Sequence, residues 1–126
     1  VAGSITIVGV DDPVVRGYGR LSGVAEKDLL SGLPKDKFIL FLKHRPEVEK
    51  SAIGLFDLQL SGHAHKGQIF PFSLIHRFVY DYLAGLYTLP SGSRIYVSRG
   101  SGTWGPPIRF LAPPEVTVID LIPEKP

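Results

Sequence analysis

Five consecutive apolar residues, Phe38-Ile39-Leu40-Phe41-Leu42, constrain this chain more than any other feature. A strand sends alternate side chains to opposite faces, so an uninterrupted apolar run of strand length reads as a strand covered on both. That places it inside a layered α/β sheet. Neighbouring segments supply the rest. Ser4 to Val10 (SITIVGV) is apolar and β-branched and runs into Asp11-Asp12-Pro13. Phe56 to Leu60 (FDLQL) alternates and stops at Ser61-Gly62. Arg94 to Ser98 and Val116 to Ile122 complete five expected strands.

Between them lie helical signals. Ala25 to Leu30 is closed by Gly32 and Pro34, and a second short helix is expected from Pro46 to Gly54. From Ser73 onward Leu74, Ile75, Phe78, Val79, Tyr82, Leu83 and Leu86 recur at helical spacing, with the apolar side expected to pack on the sheet. The expectation is one α/β domain over residues 1–126, a mixed β-sheet with flanking helices. A length of 126 residues, 44% hydrophobic, suffices for one core and excludes a disordered chain.

Charge and missing residue types narrow the function. A formal net charge of +2 does not suggest a nucleic-acid partner bound by bulk charge. The absence of Cys removes disulfides, thiolate metal sites and cysteine nucleophiles together. No apolar run approaches the roughly 18 residues of a spanning helix, and no targeting segment is visible. A cytoplasmic or peripheral place on the cytoplasmic side of a membrane is therefore expected. The chain has no Met and begins at Val1, which fits either trimming of an initiator or excision from a longer protein.

Gly100-Ser101-Gly102-Thr103-Trp104-Gly105 matches a dinucleotide fingerprint in letters only. The fingerprint needs a helix whose N-terminus faces the pyrophosphate. Nine residues separate Gly105 from Glu115, and Pro106, Pro107, Pro113 and Pro114 are among them. No helix fits there.

The histidines are more informative. His44 ends one expected strand, and His63 and His65 follow another in Gly62-His63-Ala64-His65. Carboxyl ends of neighbouring strands share a rim, so imidazoles from two strands can meet at one metal ion. The plain alternative is a pair of surface imidazoles in a turn. His76 falls on the polar side of its helix. Asp11 and Asp12 read as turn formers. Asp57 lies inside a strand, and Trp104, the one Trp, reads as a packing anchor.

Ser61-Gly62-His63-Ala64-His65-Lys66-Gly67-Gln68 resembles the GHxHGGQ motif of the calcineurin-like metallophosphoesterases. Phe41 to Pro46 (FLKHRP) resembles their LxHxP segment. The similarity continues through GVDDP (9–13), GLY (85–87), YVSRGSGTWGPPIR (96–109) and APPEVTVIDL (112–121), and points to a bacterial subgroup with a GxGxxGxPxR loop. Lys66 stands where Gly is more usual.

The resemblance implies the C-terminal half of a four-layer α/β-β/α sandwich. It also implies hydrolysis of phosphomono- or phosphodiesters by a hydroxide activated between two divalent ions (Mn, Fe, Zn or similar). By that resemblance His44 and His63 are ligands of one ion and His65 of the other. Arg99, Arg109 and Lys66 are candidates for the phosphate, although isolated basic residues are ordinarily solvated. The family's Asp-x-His, Gly-Asp and Gly-Asn-His segments do not occur in this sequence. The expected partners are therefore a phosphoester and a missing N-terminal half, and the chain alone is expected to hold one ion or none and to be inactive. The competing expectation is a non-catalytic metal-binding or assembly module with vestigial histidines, dimerising through an exposed sheet face. A third possibility is peripheral membrane contact through the aromatic segment from Ile69 to Tyr87.

Overall fold

The apolar run forms a strand with parallel neighbours on both sides. The structure, a computed structural model, describes residues 5–12 and 24–122, so Ser4 and Pro13 lie outside the described residues. In chain order the elements are β1 (Ile5–Val10), α1 (Glu26–Ser31), β2 (Phe38–Lys43), β3 (Leu58–Ser61), α2 (Phe72–Val79), β4 (Gly85–Thr88) and β5 (Arg94–Val97). Short 3-10 turns occur at Lys50–Ala52, His65–Gly67 and Pro90–Gly92. The sheet order is β1-β2-β3-β5-β4, with β4 antiparallel to β5 and every other pairing parallel. This is a mixed five-stranded sheet with flanking helices, an α/β fold.

Register assigns the faces. Phe41 lies opposite Val8 and Gln59, and Gln59 lies opposite Ile95, so these four share one face. That face carries the core: Ile39, Phe41, Ile95 and Val97 pack with Leu30 of α1, Ala52, Phe56 and Leu89. Near its edge Lys43 and Glu26 form a buried ion pair at 2.6 Å. The opposite face leaves Ile7, Leu42 and Leu86 exposed. The expectation that β2 is covered on both faces therefore holds for one, because α1 and the Lys50–Ala52 turn pack on the same side.

Other expectations are corrected. The helix from Ser73 stops at Val79, and Gly85–Thr88 forms β4 instead. Leu86 satisfies helical and strand periods alike. A turn decides between them: the Tyr87 hydroxyl donates to the Ala84 carbonyl at 3.0 Å, and Gly85 takes φ 100°. None of the α2 residues is buried, so the expected packing of its apolar side on the sheet does not occur. Trp104 is exposed and anchors no core. Residues 116–122 pair with no strand; the Tyr96 hydroxyl of β5 meets Glu115 and Thr117 at the start of this segment. The stretch after Pro46 forms only the Lys50–Ala52 turn.

Candidate metal centre

Because β1, β2, β3 and β5 run parallel, their carboxyl ends share one rim, and the residues just past them are Asp11-Asp12, His44-Arg45, Gly62-His63 and Ser98-Arg99. The Gly62 amide donates to the His44 carbonyl at 2.9 Å, extending the β2–β3 pairing past the strand ends and bringing both histidines to the same level. His44 Nε2 lies 3.0 Å from His63 Nδ1 and 3.9 Å from Asp12 Oδ2. One donor from each of Asp12, His44 and His63 falls within 4.8 Å of the others. An open depression of about 350 Å³ borders His44 and is lined by Val10, Leu42, Leu60 and Gly62 among others.

The donor set fits a divalent ion. Two imidazoles and a carboxylate suit Zn, Mn or Fe. His44 and His63, with Asp12 beside them, are the residues that would hold it. Burial pushes the His63 imidazole below its ordinary value; the His44 and Arg45 charges add to this, and Asp12 opposes it. The neutral form so favoured is the one that binds metal. Arg45 Nε reaches both Asp12 oxygens at 3.3 Å and holds that carboxylate at the rim.

The turn after β3 is backbone-constrained. His63, His65, Lys66 and Gln68 all take positive φ, from 44° to 65°. Gly67 sits among them at φ 74°, and a Cβ there would lie 2.4 Å from the Ser73 Cα, so no other residue fits without movement. Gln68 is buried and ties the turn to the glycine-rich loop. Its Oε1 accepts from the Trp104 amide at 2.6 Å, and its Nε2 donates to the Trp104 and Pro106 carbonyls at 2.8 and 3.2 Å.

His65 belongs to a second niche. Its Nδ1 lies 3.2 Å from the Arg99 carbonyl and 3.0 Å from Arg109 Nη2. Arg109 also donates to the carbonyls of Arg99, Gly100, Gly102 and Ala112, so its guanidinium frames the loop. Arg99 pairs with Glu115 at 2.5 Å. Of the six residues singled out from sequence, His44 and His63 meet directly. His65, Arg99 and Arg109 group beside them, and Lys66 lies partly exposed on the connecting turn.

Asp12 was read as a turn former and instead joins the histidines. The available signal was that β1 is a parallel neighbour of β2, so an acid past one end faces a histidine past the other. Tyr80 was missed as well: its ring lies 5.9 Å from that of His63 and stacks on His76 at 6.0 Å. Asp57 is corrected too. It precedes β3 and accepts the Ile39 amide at 2.6 Å, at the end of β2 opposite the rim. His76 faces the Phe72 carbonyl at 2.8 Å.

Comparison with known proteins yields a consistent set. An uncharacterized metallophosphoesterase of Aquifex aeolicus is 36% identical over 118 residues, covering 93% of this chain and 45% of that protein. One from Helicobacter pylori is 40% identical over 124 residues, covering 97% of this chain and 33% of its own length. A transmembrane protein with metallophosphoesterase domain from Danio rerio is 32% identical over 123 residues, 28% of its length. The chain thus spans less than half the length of these curated relatives. No protein-family model matches the chain, and no solved structure matches it.

Proposed function

We propose that this chain, which belongs to the metallophosphoesterase family, supplies the imidazole side of a divalent-metal centre that hydrolyses phosphoesters. The observation that carries this reading is the meeting of His44 and His63, 3.0 Å apart at the carboxyl rim with Asp12 beside them. Divalent ions, when bound, polarise the phosphoryl oxygens and lower the pKa of water. His44 and His63 would hold one of them, and Asp12 would balance its charge.

His65 would hold a second ion. The Arg99 carbonyl accepts a hydrogen bond from the Nδ1–H of His65, which is how second-shell acceptors commonly fix a ligand tautomer. Arg109 has carbonyl acceptors of its own and keeps the loop shaped around the ring. Lys66 is the cation best placed to meet the phosphate, because Arg99 is engaged by Glu115. The remaining ligands, an acid for the leaving group included, come from another segment of the same protein. The chain by itself is then inactive.

Turnover of a generic aryl phosphodiester and an aryl phosphomonoester by the full-length protein, with added Mn, tests this. Chelation should abolish turnover, and His44→Ala or His63→Ala should each lower it by about a hundredfold or more. Full activity in the double variant would sink the proposal. Metal-dependent turnover by the 126-residue chain alone would remove the claim that other segments are needed.

A further inference from the structure

The two histidines of the turn after β3 are held in different ways. A metal-binding imidazole commonly donates its second ring N–H to a carbonyl or carboxylate, which fixes the plane of the ring. His65 has such a partner in the Arg99 carbonyl, 3.2 Å from its Nδ1. His63 has none: its Nδ1 faces His44 Nε2 at 3.0 Å, and among the described residues no group accepts a hydrogen bond from its Nε2. Ring contacts remain. His44 stands at 80° to it with centroids 4.9 Å apart, and Tyr80 at 73° with centroids 5.9 Å apart. Edge-to-face rings attract at these distances and hold each other's orientation.

Tyr80 is itself fixed from two directions. Its amide donates to the His76 carbonyl at 2.9 Å and so ends α2. Its ring stacks on that of His76, with centroids 6.0 Å apart and planes 14° from parallel. His76 is fixed in turn, its Nδ1 lying 2.8 Å from the Phe72 carbonyl one helical turn earlier. The start of α2 is joined to the histidine turn: Gly67 lies so close to Ser73 that a Cβ would meet its Cα, and the Phe72 amide donates to the Ile69 carbonyl at 2.8 Å. Eight residues with no buried member do not hold a helix by propensity alone. This one leaves the histidine turn and returns an aromatic ring to it.

We propose that Tyr80 is a positioning residue for His63: its ring, backed by His76, holds the His63 imidazole in the orientation that turns Nδ1 toward His44. A ring ordered in advance gives up less rotamer freedom when it takes a ligand. The consequence for metal rests on the reading of His63 as a ligand, whereas the brace itself is a property of the rings. Aromaticity carries the role, since among the described residues the Tyr80 hydroxyl has no hydrogen-bond partner.

Two measurements on the full-length protein test the brace and the metal reading separately. With chelator present and His and Tyr selectively labelled, nuclear Overhauser contacts should join the Tyr80 ring to the His63 and His76 rings. Tyr80→Leu should broaden or multiply the His63 ring signals. Missing contacts, or His63 signals in Tyr80→Leu that match the parent's, overturn the brace whatever the metal does. In Mn calorimetry Tyr80→Leu should bind about tenfold more weakly than the parent, and Tyr80→Phe as the parent does. His76→Ala, which leaves the Tyr80 side chain in place, should bind about threefold more weakly and repeats the test should Tyr80→Leu fail to fold. Tyr80→Phe as weak as Tyr80→Leu places the effect in the hydroxyl and overturns a ring brace. Undiminished binding in both Tyr80→Leu and His76→Ala overturns positioning. His63→Ala should lose one equivalent of Mn; if it keeps all of its Mn the ligand reading fails, and the Overhauser contacts still decide the brace.

Discussion

Phe41 and Leu42 are adjacent on β2, yet Phe41 is wholly buried and Leu42 is 41% exposed. The sheet has two faces of similar apolar character and very different circumstances. One is closed by α1, the Lys50–Ala52 turn, Phe56 and Leu89. The other shows Ile7, Leu42 and Leu86, and the C-terminal segment is tied to it by polar bonds from Tyr96 and Arg99. The difference teaches that apolar pattern states which surfaces require cover, without stating where the cover comes from.

The largest expected effect bears directly on that contrast. Phe41→Ala should destabilise the fold by about 3–5 kcal/mol, as emptied aromatic core sites do. Leu42→Ala in this chain should cost less than about 1 kcal/mol, because much of its surface already meets water. Urea denaturation of both variants measures the two costs. Comparable losses would mean that both faces are closed in solution and would end the comparison. Repeating Leu42→Ala in the full-length protein sharpens it: a cost rising toward about 2–5 kcal/mol there reports cover supplied by the rest of the protein.

A smaller effect concerns the clasp over the open face. Burial alone would raise the Glu115 carboxyl, but hydrogen bonds from Thr117, Tyr96 and Arg99, together with the Arg99 charge, hold it at about 2. A carboxyl depressed in the folded state contributes stability above its unfolded value near 4.5 and loses it as pH falls toward about 2. With solvent screening, the contribution is roughly 1–2 kcal/mol. Thermal melts across that acid window should show the parent losing stability relative to Glu115→Gln, with the two profiles closest at the acid end. Parallel profiles throughout would show that the clasp does not hold the segment.

Much of this arrangement was legible in the sequence, and the gaps have physical causes. The run from Phe38 to Leu42 specified a strand beside parallel neighbours, and the positions of His44 and His63 past strand ends placed both at one rim. Asp12 was not legible from its own neighbourhood, since Asp-Asp-Pro reads as a turn and its role depends on which strand lies alongside β1. β4 was hidden because Leu86 fits helical and strand periods, and only the turn at Ala84-Gly85 separates them. Val116 to Ile122 has strand-like residues, but a strand also requires a ladder partner, and no local pattern reports one. The exposure of α2 and Trp104 was misread for the reason the two sheet faces teach. Amphipathicity announced an apolar side and left open what it meets.

The smallest expected effect lies at the rim, where the turn that carries the histidines belongs to neither face. Lys66 sits at φ 54°, between His65 at 46° and Gly67 at 74°. A side chain in this left-handed region costs roughly 1–2 kcal/mol, part of which glycine returns through the greater freedom of its unfolded chain. Lys66→Gly should therefore raise stability by a net of about 0.5–1 kcal/mol in urea denaturation. A residue kept in a strained conformation against its own stability implies a gain elsewhere. If Lys66 meets the phosphate, Lys66→Gly in the full-length protein should raise KM for a phosphoester while raising the melting temperature. Weaker binding together with greater stability assigns the strain to substrate binding. A KM that stays put while stability rises would leave Lys66 as a solvated cation, with the histidines and Asp12 unaffected by its loss.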